Sequence, residues 1–145
     1  MWKTINEMLK AGAIEHSTSQ WNHRYVLVPK TDGSRRMTLD LRRFNVICRP
    51  LGVNSPKVED VLEDIYGSNY FASMDCSTSF HTLPLAKECQ HMLAFQFDNQ
   101  KYQYKTCAQG LAGSAAAFQK FMTGLVGDLE YNGINSFVDD MMAHQ

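Results

Sequence analysis

Three carboxylates stand where an apolar run ends. Asp75 closes the run 70–74, and Asp139 and Asp140 close the run 134–138. If those two runs are neighbouring strands, Asp75 and Asp139 converge at one end of a sheet. A buried cluster of like charges is costly unless a cation neutralises it. Magnesium suits such a cluster, because it takes hard oxygen ligands and keeps positions open for phosphates. Two such ions about 3.5–4 Å apart can clamp the attacking and leaving oxygens of an in-line phosphoryl transfer. Taken alone, an Asp-Asp pair is more often a turn or a solvated surface, and a single Asp after a strand is equally common in turns. The carboxylates gain weight only from what surrounds them.

Basic residues supply part of that company. Lys30 and Arg36 flank the turn segment 31–34. A basic hairpin that folds over a triphosphate neutralises its charge; a solvated hairpin tip is the plainer alternative. Arg35, adjacent to Arg36 on a strand, points to the opposite face. Arg42 and Arg43 suit phosphates, while Arg42 equally suits a pair with Asp40 or a neighbouring helix. Residues 1–49 carry nine Lys/Arg against four Asp/Glu, and residues 50–145 carry five against eleven. That asymmetry fits phosphates on one side and cations on the other, although the net charge of −1 argues for nothing by itself.

Composition narrows the classes. The chain has 145 residues, 44% hydrophobic and 20% charged, as in an ordinary globular domain. No run of about 18 apolar residues is present to span a membrane, and no charged-then-apolar leader opens the chain. Cys48, Cys76, Cys89 and Cys107 lack zinc-ligand spacing and read as free thiols. The five histidines have no ligand spacing either.

The elements that must position these groups follow from periodicity. A short amphipathic helix is expected over 3–13, ending at Gly12. Strands over 24–30 and 36–40 around a polar turn form a hairpin. Ser55-Pro56 is a helix start, and that helix stops at Gly67. Strand 70–75 carries the first carboxylate. Strands 91–97 and 101–106 flank Asp98-Asn99-Gln100. Residues 114–130 carry a helical stripe (Phe118, Phe121, Met122, Leu125, Val126, Leu129) that reads as core. Strand 134–138 leads to Asp139-Asp140, and the final residues fall in the return strand of that hairpin. Few regular βαβ units occur, so the fold class is α+β.

Several segments resemble the boxes of reverse transcriptases, in order and at matching spacing. Phe137-Val138-Asp139-Asp140 is similar to their aromatic-x-Asp-Asp box. Residues 70–75 followed by Ser79-Phe80-His81-Thr82-Leu83-Pro84-Leu85 resemble the first palm box. Val28-Pro29-Lys30 through Arg36, then Leu39-Asp40-Leu41-Arg42-Arg43-Phe44-Asn45, look like the fingers hairpin and the segment after it. Tyr102-Gln103-Tyr104, Gln109-Gly110-Leu111 and the run 113–119 match the next box. The lead-in over 8–21 is similar to that of gypsy-type LTR retrotransposons. The sequence departs from the family at Cys107-Ala108, where Leu-Pro is usual, and at Ala115, where many relatives have proline.

The resemblance implies a right-hand polymerase fold of fingers and palm, with an antiparallel palm sheet packed on helices and the chain truncated before the thumb. Residues 1–67 would be mainly fingers, 68–83 palm, 84–112 the fingers return, and 113–145 the palm with the Phe-Val-Asp-Asp hairpin. It implies RNA-directed DNA polymerase chemistry: two-metal addition of deoxynucleotides to a primer 3′-hydroxyl. Asp75, Asp139 and Asp140 would be catalytic, with Asp75, Asp139 and the Cys76 carbonyl as ligands of two Mg2+ ions, for which Mn2+ can substitute. Lys30, Arg36, Ser77, Thr78, Phe80 and Gln109 would bind the nucleotide, Phe80 excluding a 2′-hydroxyl by bulk. Template-primer, deoxynucleoside triphosphates and the rest of a polyprotein (thumb and RNase H) are the implied partners, with no membrane. The implied setting is intracellular, in a cytoplasmic retroelement particle. Two other readings remain: an inactive retroelement remnant that at most binds nucleic acid, and a viral RNA-copying polymerase, against which Phe80 and the Gln109-Gly110 box argue.

Overall fold

The computed structural model describes the chain except for residues 30–32, 34, 50–51, 53–56 and 77–78. Lys30, Ser77, Thr78 and the expected helix start at Ser55-Pro56 lie outside the described residues. The chain forms two compact units: Met1–Arg49 with Phe80–Ser114, and Pro50–Ser79 with Ala115–Gln145.

The first unit opens with helix α1, Trp2–Lys10, which buries Ile5 and Met8. Gly12 ends it in the left-handed region, φ 70. The Gly12 amide donates to the Leu9 carbonyl and the Ala13 amide to that of Met8. These are the two bonds of a Schellman cap, which satisfy carbonyls the helix leaves free. Strand β1, Ile14–His16, follows and was not expected. Three residues are too few to show a period. Strands β2, Tyr25–Pro29, and β3, Arg35–Leu39, pair antiparallel from Tyr25↔Leu39 to Pro29↔Arg35, as the hairpin expectation required. The one-turn helix α2 spans Arg42–Asn45.

The other half of this unit holds helix α4, Lys87–Gln90, and strands β5, Ala94–Phe97, and β6, Gln100–Tyr104. Residues 91–93 are a 3-10 turn continuing from α4, so β5 starts three residues later than expected. The β5–β6 turn is Asp98-Asn99, at φ 47 and 60. A two-residue turn with both residues at positive φ is the tight form whose twist matches an antiparallel pair. β6 lies between β1 and β5. It buries Tyr102 and Tyr104 at alternate positions, as a half-buried strand must. Phe95 lies 5.8 Å from the Tyr102 ring and 5.7 Å from that of Tyr104. Burying such a ring stabilises by roughly 1.5–3 kcal/mol.

The second unit holds helix α3, Val58–Asp64; strand β4, Phe71–Asp75; helix α5, Ser114–Val126, apart from its first residue; and strands β7, Ile134–Phe137, and β8, Asp140–His144. The sheet order is β4-β8-β7, so the last strand in sequence lies at its centre. α5 stops at Val126, short of the expected 130. Gly127, at φ 52, leaves helical geometry and a 3-10 turn follows. Only part of the expected core stripe is buried. Phe118, Met122 and Val126, spaced by four, are buried, whereas Phe121, Leu125 and Leu129 are exposed. One buried line i, i+4, i+8 is narrower than the stripe the apolar pattern suggests. The architecture is the α+β class expected, with antiparallel sheets throughout the named strands.

Candidate active site

The carboxylates are brought together by strand register. β4 and β8 pair so that Asp75 faces Asp140, and β7 pairs with β8 so that Phe137 faces Asp140. Residues directly opposite in an antiparallel pair project to the same face. Asp75, Asp140 and Phe137 therefore form one row across the sheet, at the end carrying the Val138-Asp139 turn. The Cys76 amide donates to the Asp139 carbonyl at 2.9 Å, tying the turn to the end of β4. The direct partner of Asp75 is thus Asp140, and Asp139 occupies the second turn position beside Cys76.

The opposite face of this sheet belongs to α5. Ser136 sits in the row with Met141 and Met74, one residue out of phase with the carboxylates. Gln119 of α5 donates to the Ser136 carbonyl there, at 3.1 Å. α5 thus lies on one face while the carboxylates emerge on the other. Asp75 and Asp140 are exposed and Asp139 is half-buried. The carboxylates thus meet solvent at the strand ends. β4 is an edge strand, with all five residues exposed, so water rather than a low-dielectric interior surrounds these groups.

At the other end of the carboxylate face, Asn135 donates to Asp64 of α3 at 3.0 Å. His144 lies 3.4 Å from the same Asp64 carboxylate and 2.9 Å from the Ser68 hydroxyl. Gly133, which leads into β7, has φ 83, and a Cβ there would run into the His144 carbonyl oxygen.

Among the described residues no group of three or more His, Cys, Asp and Glu side chains is arranged to hold a metal ion. Magnesium does not need such a cage. It keeps several waters and is commonly held by one or two carboxylates plus substrate phosphates. An open pair of hard oxygen donors fits that chemistry. The four cysteines are free and none is added to a soft-metal set.

In the first unit, Arg36 lies opposite Val28 on the hairpin, two residues before Thr38 and on the same face. Arg35 falls on the other face, in phase with the buried Met37 and Leu39. The Thr38 hydroxyl donates to the Gln109 carbonyl at 3.1 Å. Arg36 and the Gln109 loop therefore share one side of the hairpin. Asn45 completes the attachment: its side-chain amide donates to the Gly110 carbonyl at 2.8 Å, and its oxygen accepts from the Ala112 amide at 2.8 Å. Gly110 has φ 86, and a Cβ would meet nothing closer than 3.6 Å. Backbone conformation, not crowding, is what calls for glycine there. Phe80 is half-buried and starts the last turn before Leu83, whose amide donates to the Phe80 carbonyl.

Arg42 takes the second of its two expected roles. Its guanidinium binds the Asp40 carboxylate through two hydrogen bonds, at 2.8 and 2.7 Å. That contact holds the Asp40 carboxyl down at about 2 and raises the Arg42 pKa. Asp40 and Arg42 line an open cavity of about 480 Å³ with Asn22, His23, Arg24 and Arg43. His81 packs 6.0 Å from the Tyr104 ring, and burial lowers its pKa.

Three supporting residues were missed as such in the sequence: Thr38, Asn45 and Gln119. For Gln119 the signal was present, a polar side chain next to Phe118 inside an apolar helix stripe. For Thr38 and Asn45 no local signal existed, because their partners are 71 and 65–67 residues away.

Residues 28–144 match the family model described as reverse transcriptase (RNA-dependent DNA polymerase). The chain is 29% identical over 140 residues to the Transposon Tf2-3 polyprotein of Schizosaccharomyces pombe, covering 97% of this chain and 10% of that one. The Tf2-7 polyprotein of the same organism is 28% identical over the same length. The chain thus spans about a tenth of the length of these curated relatives. Among solved structures, the foamy viral protease-reverse transcriptase in complex with double-stranded DNA superposes with a TM-score of 0.92 at 28% identity, over 99% of this chain and 25% of that one. The foamy viral enzyme in complex with an RNA/DNA hybrid superposes with a TM-score of 0.88 at 27% identity, over 99% of this chain and 19% of that one. No helix among the described residues is long and apolar enough to cross a membrane.

Proposed function

The chain belongs to the reverse transcriptase family, and from that premise we propose that it carries the fingers and palm of an RNA-directed DNA polymerase, adding deoxynucleotides to a primer 3′-hydroxyl on an RNA or DNA template. The observation that carries this reading is the register of β4, β8 and β7. It sets Asp75 opposite Asp140 and places Asp139 in the adjoining turn, on the end of a sheet whose other face is occupied by α5. In this reading residues 68–83 and 113–145 act as palm, and residues 1–67 and 84–112 mainly as fingers.

Asp75 and Asp139 would hold two Mg2+ ions, with the Cys76 carbonyl as a further ligand and Asp140 in support. Metal ions held there would lower the pKa of the 3′-hydroxyl and stabilise charge on the triphosphate. The chain's own residues do the positioning. Arg36, with Lys30, neutralises the triphosphate from the hairpin. Ser77 and Thr78, next after Cys76 in sequence, would offer it their backbone amides. Gln109, fixed by Thr38 and Asn45, hydrogen-bonds the nucleotide or the template beside it. Phe80 supplies the bulk that rejects a 2′-hydroxyl. Arg43 and Arg24, which Arg42 leaves to face the cavity with the Asp40 charge already matched, suit template phosphates.

The foamy viral enzymes have been solved with double-stranded DNA and with an RNA/DNA hybrid, which supports template-primer as the partner. The test is primer extension on an RNA template with Mg2+ and deoxynucleotides. The purified chain should extend the primer and Asp139→Ala should not. Equal extension by both, or none from folded wild-type chain, would overturn the assignment of activity to this chain.

A further inference from the structure

Val138 occupies an unusual backbone conformation. Its φ is 55, and it is the first residue of the two-residue turn between Phe137 and Asp140. That position in a hairpin turn ordinarily takes glycine. A β-branched residue at positive φ is strained, because Cβ crowds the neighbouring carbonyl. Strain of this kind persists only where the surroundings over-determine it. The next two residues of the chain are Asp139 and Asp140.

One side chain meets that requirement. Gln119 of α5 is buried, with 2% of its surface exposed. Its side-chain oxygen accepts a hydrogen bond from the Val138 amide at 2.6 Å. Its side-chain nitrogen donates to the Ser136 carbonyl at 3.1 Å and lies 3.3 Å from the Ser136 hydroxyl. A single amide thus grips the backbone on both sides of Phe137, at the point where β7 turns. A buried amide could satisfy itself anywhere in a helix–sheet interface. This one is spent on the amide of the strained residue and on the strand that leads into it.

We propose that Gln119 is a positioning residue for the carboxylate turn: by holding Val138 at positive φ it sets the carboxylates of Asp139 and Asp140 in register with Asp75. The inference rests on the metal-site reading of those carboxylates, and it adds a component that touches neither metal nor nucleotide. Groups that orient metal ligands from behind are typically worth about 10–100-fold in metal affinity. If Gln119 acts through the backbone conformation of residue 138, glycine at that position should remove the need for it. A residue that merely fills space between α5 and β7 would show no such dependence.

The experiment uses the whole chain, with Mn2+ as the probe, read by water-proton relaxation, and with amide hydrogen exchange of residue 138 read by NMR. Gln119→Met keeps the length of the side chain and removes both bonds. It should weaken Mn2+ binding by about tenfold or more and expose the Val138 amide to exchange. Adding Val138→Gly to Gln119→Met should restore most of the Mn2+ affinity. Gln119→Glu keeps the acceptor and should keep the Val138 amide protected, which decides the matter if the methionine variant does not fold. The inference is overturned if folded Gln119→Met binds Mn2+ like the wild type, if Val138→Gly brings no recovery, or if Gln119→Glu loses protection. Wild-type Mn2+ binding that ignores Asp139→Ala would sink the metal-site reading instead, and the exchange of residue 138 would then still decide what Gln119 holds.

Discussion

At the scale of single residues, charge and hydrogen bonding set what each group can do. Asp40 and Arg42 illustrate this. Free Asp carboxyls titrate near 3.8, and in the fold Arg42 holds Asp40 at about 2. A depressed carboxyl stabilises the fold fully above the unfolded value and loses that contribution as pH falls through the folded one. The pair therefore persists at neutral pH and dissolves as pH falls from 3.8 through about 2. An NMR titration of the Asp40 carboxyl should show that low midpoint, and Arg42→Ala should return it towards 3.8. A midpoint unchanged by the substitution would contradict the pairing. Arg42 was legible in the sequence only as a choice between Asp40 and template phosphate, since two residues of separation permit the pair but do not require it.

At the scale of elements, packing decides. Phe95 is fully buried between two tyrosine rings. Phe95→Ala should cost about 3–5 kcal/mol, measured by denaturant unfolding, because the cavity cannot fully collapse. Gly133→Ala should destabilise by more than about 1–2 kcal/mol, since it adds left-handed strain to a collision with the His144 carbonyl. Asn45→Ala should cost about 1–3 kcal/mol for its two hydrogen bonds and raise the mobility of the Gln109 loop in NMR relaxation. These cases separate what the sequence could show from what it could not. The β2–β3 and β5–β6 hairpins were readable because alternation and turn residues are local. β1 was not, because three residues show no period and its pairing with β6 depends on a partner some 90 positions away. The end of α5 was overestimated because Leu129 prolongs the apolar rhythm beyond Gly127. The carboxylates were readable as strand ends. That Asp75 faces Asp140 and not Asp139 followed only from the register.

At the scale of the molecule, each unit has its own buried groups, and the second also carries an open apolar surface. Phe121, Leu125 and Leu129 are exposed on and just after α5. Surface substitutions that touch no core feature usually change stability by less than about 0.5 kcal/mol. Leu125→Gln combined with Leu129→Gln should therefore leave the unfolding midpoint nearly unchanged. A large loss of stability would show that these side chains belong to the core after all.

The central claim is that β4 and the β7–β8 turn together form one divalent-metal site. Mn2+ added to isotopically labelled chain broadens the NMR signals of residues near it, so the claim can be read directly. Broadening at Asp75, Cys76, Asp139 and Asp140 together, abolished by Asp75→Asn alone, is the expected result. Broadening centred on the Asp64–His144 cluster, or broadening of the turn that survives Asp75→Asn, would show that the two strands do not make one site, and the account would fail with it.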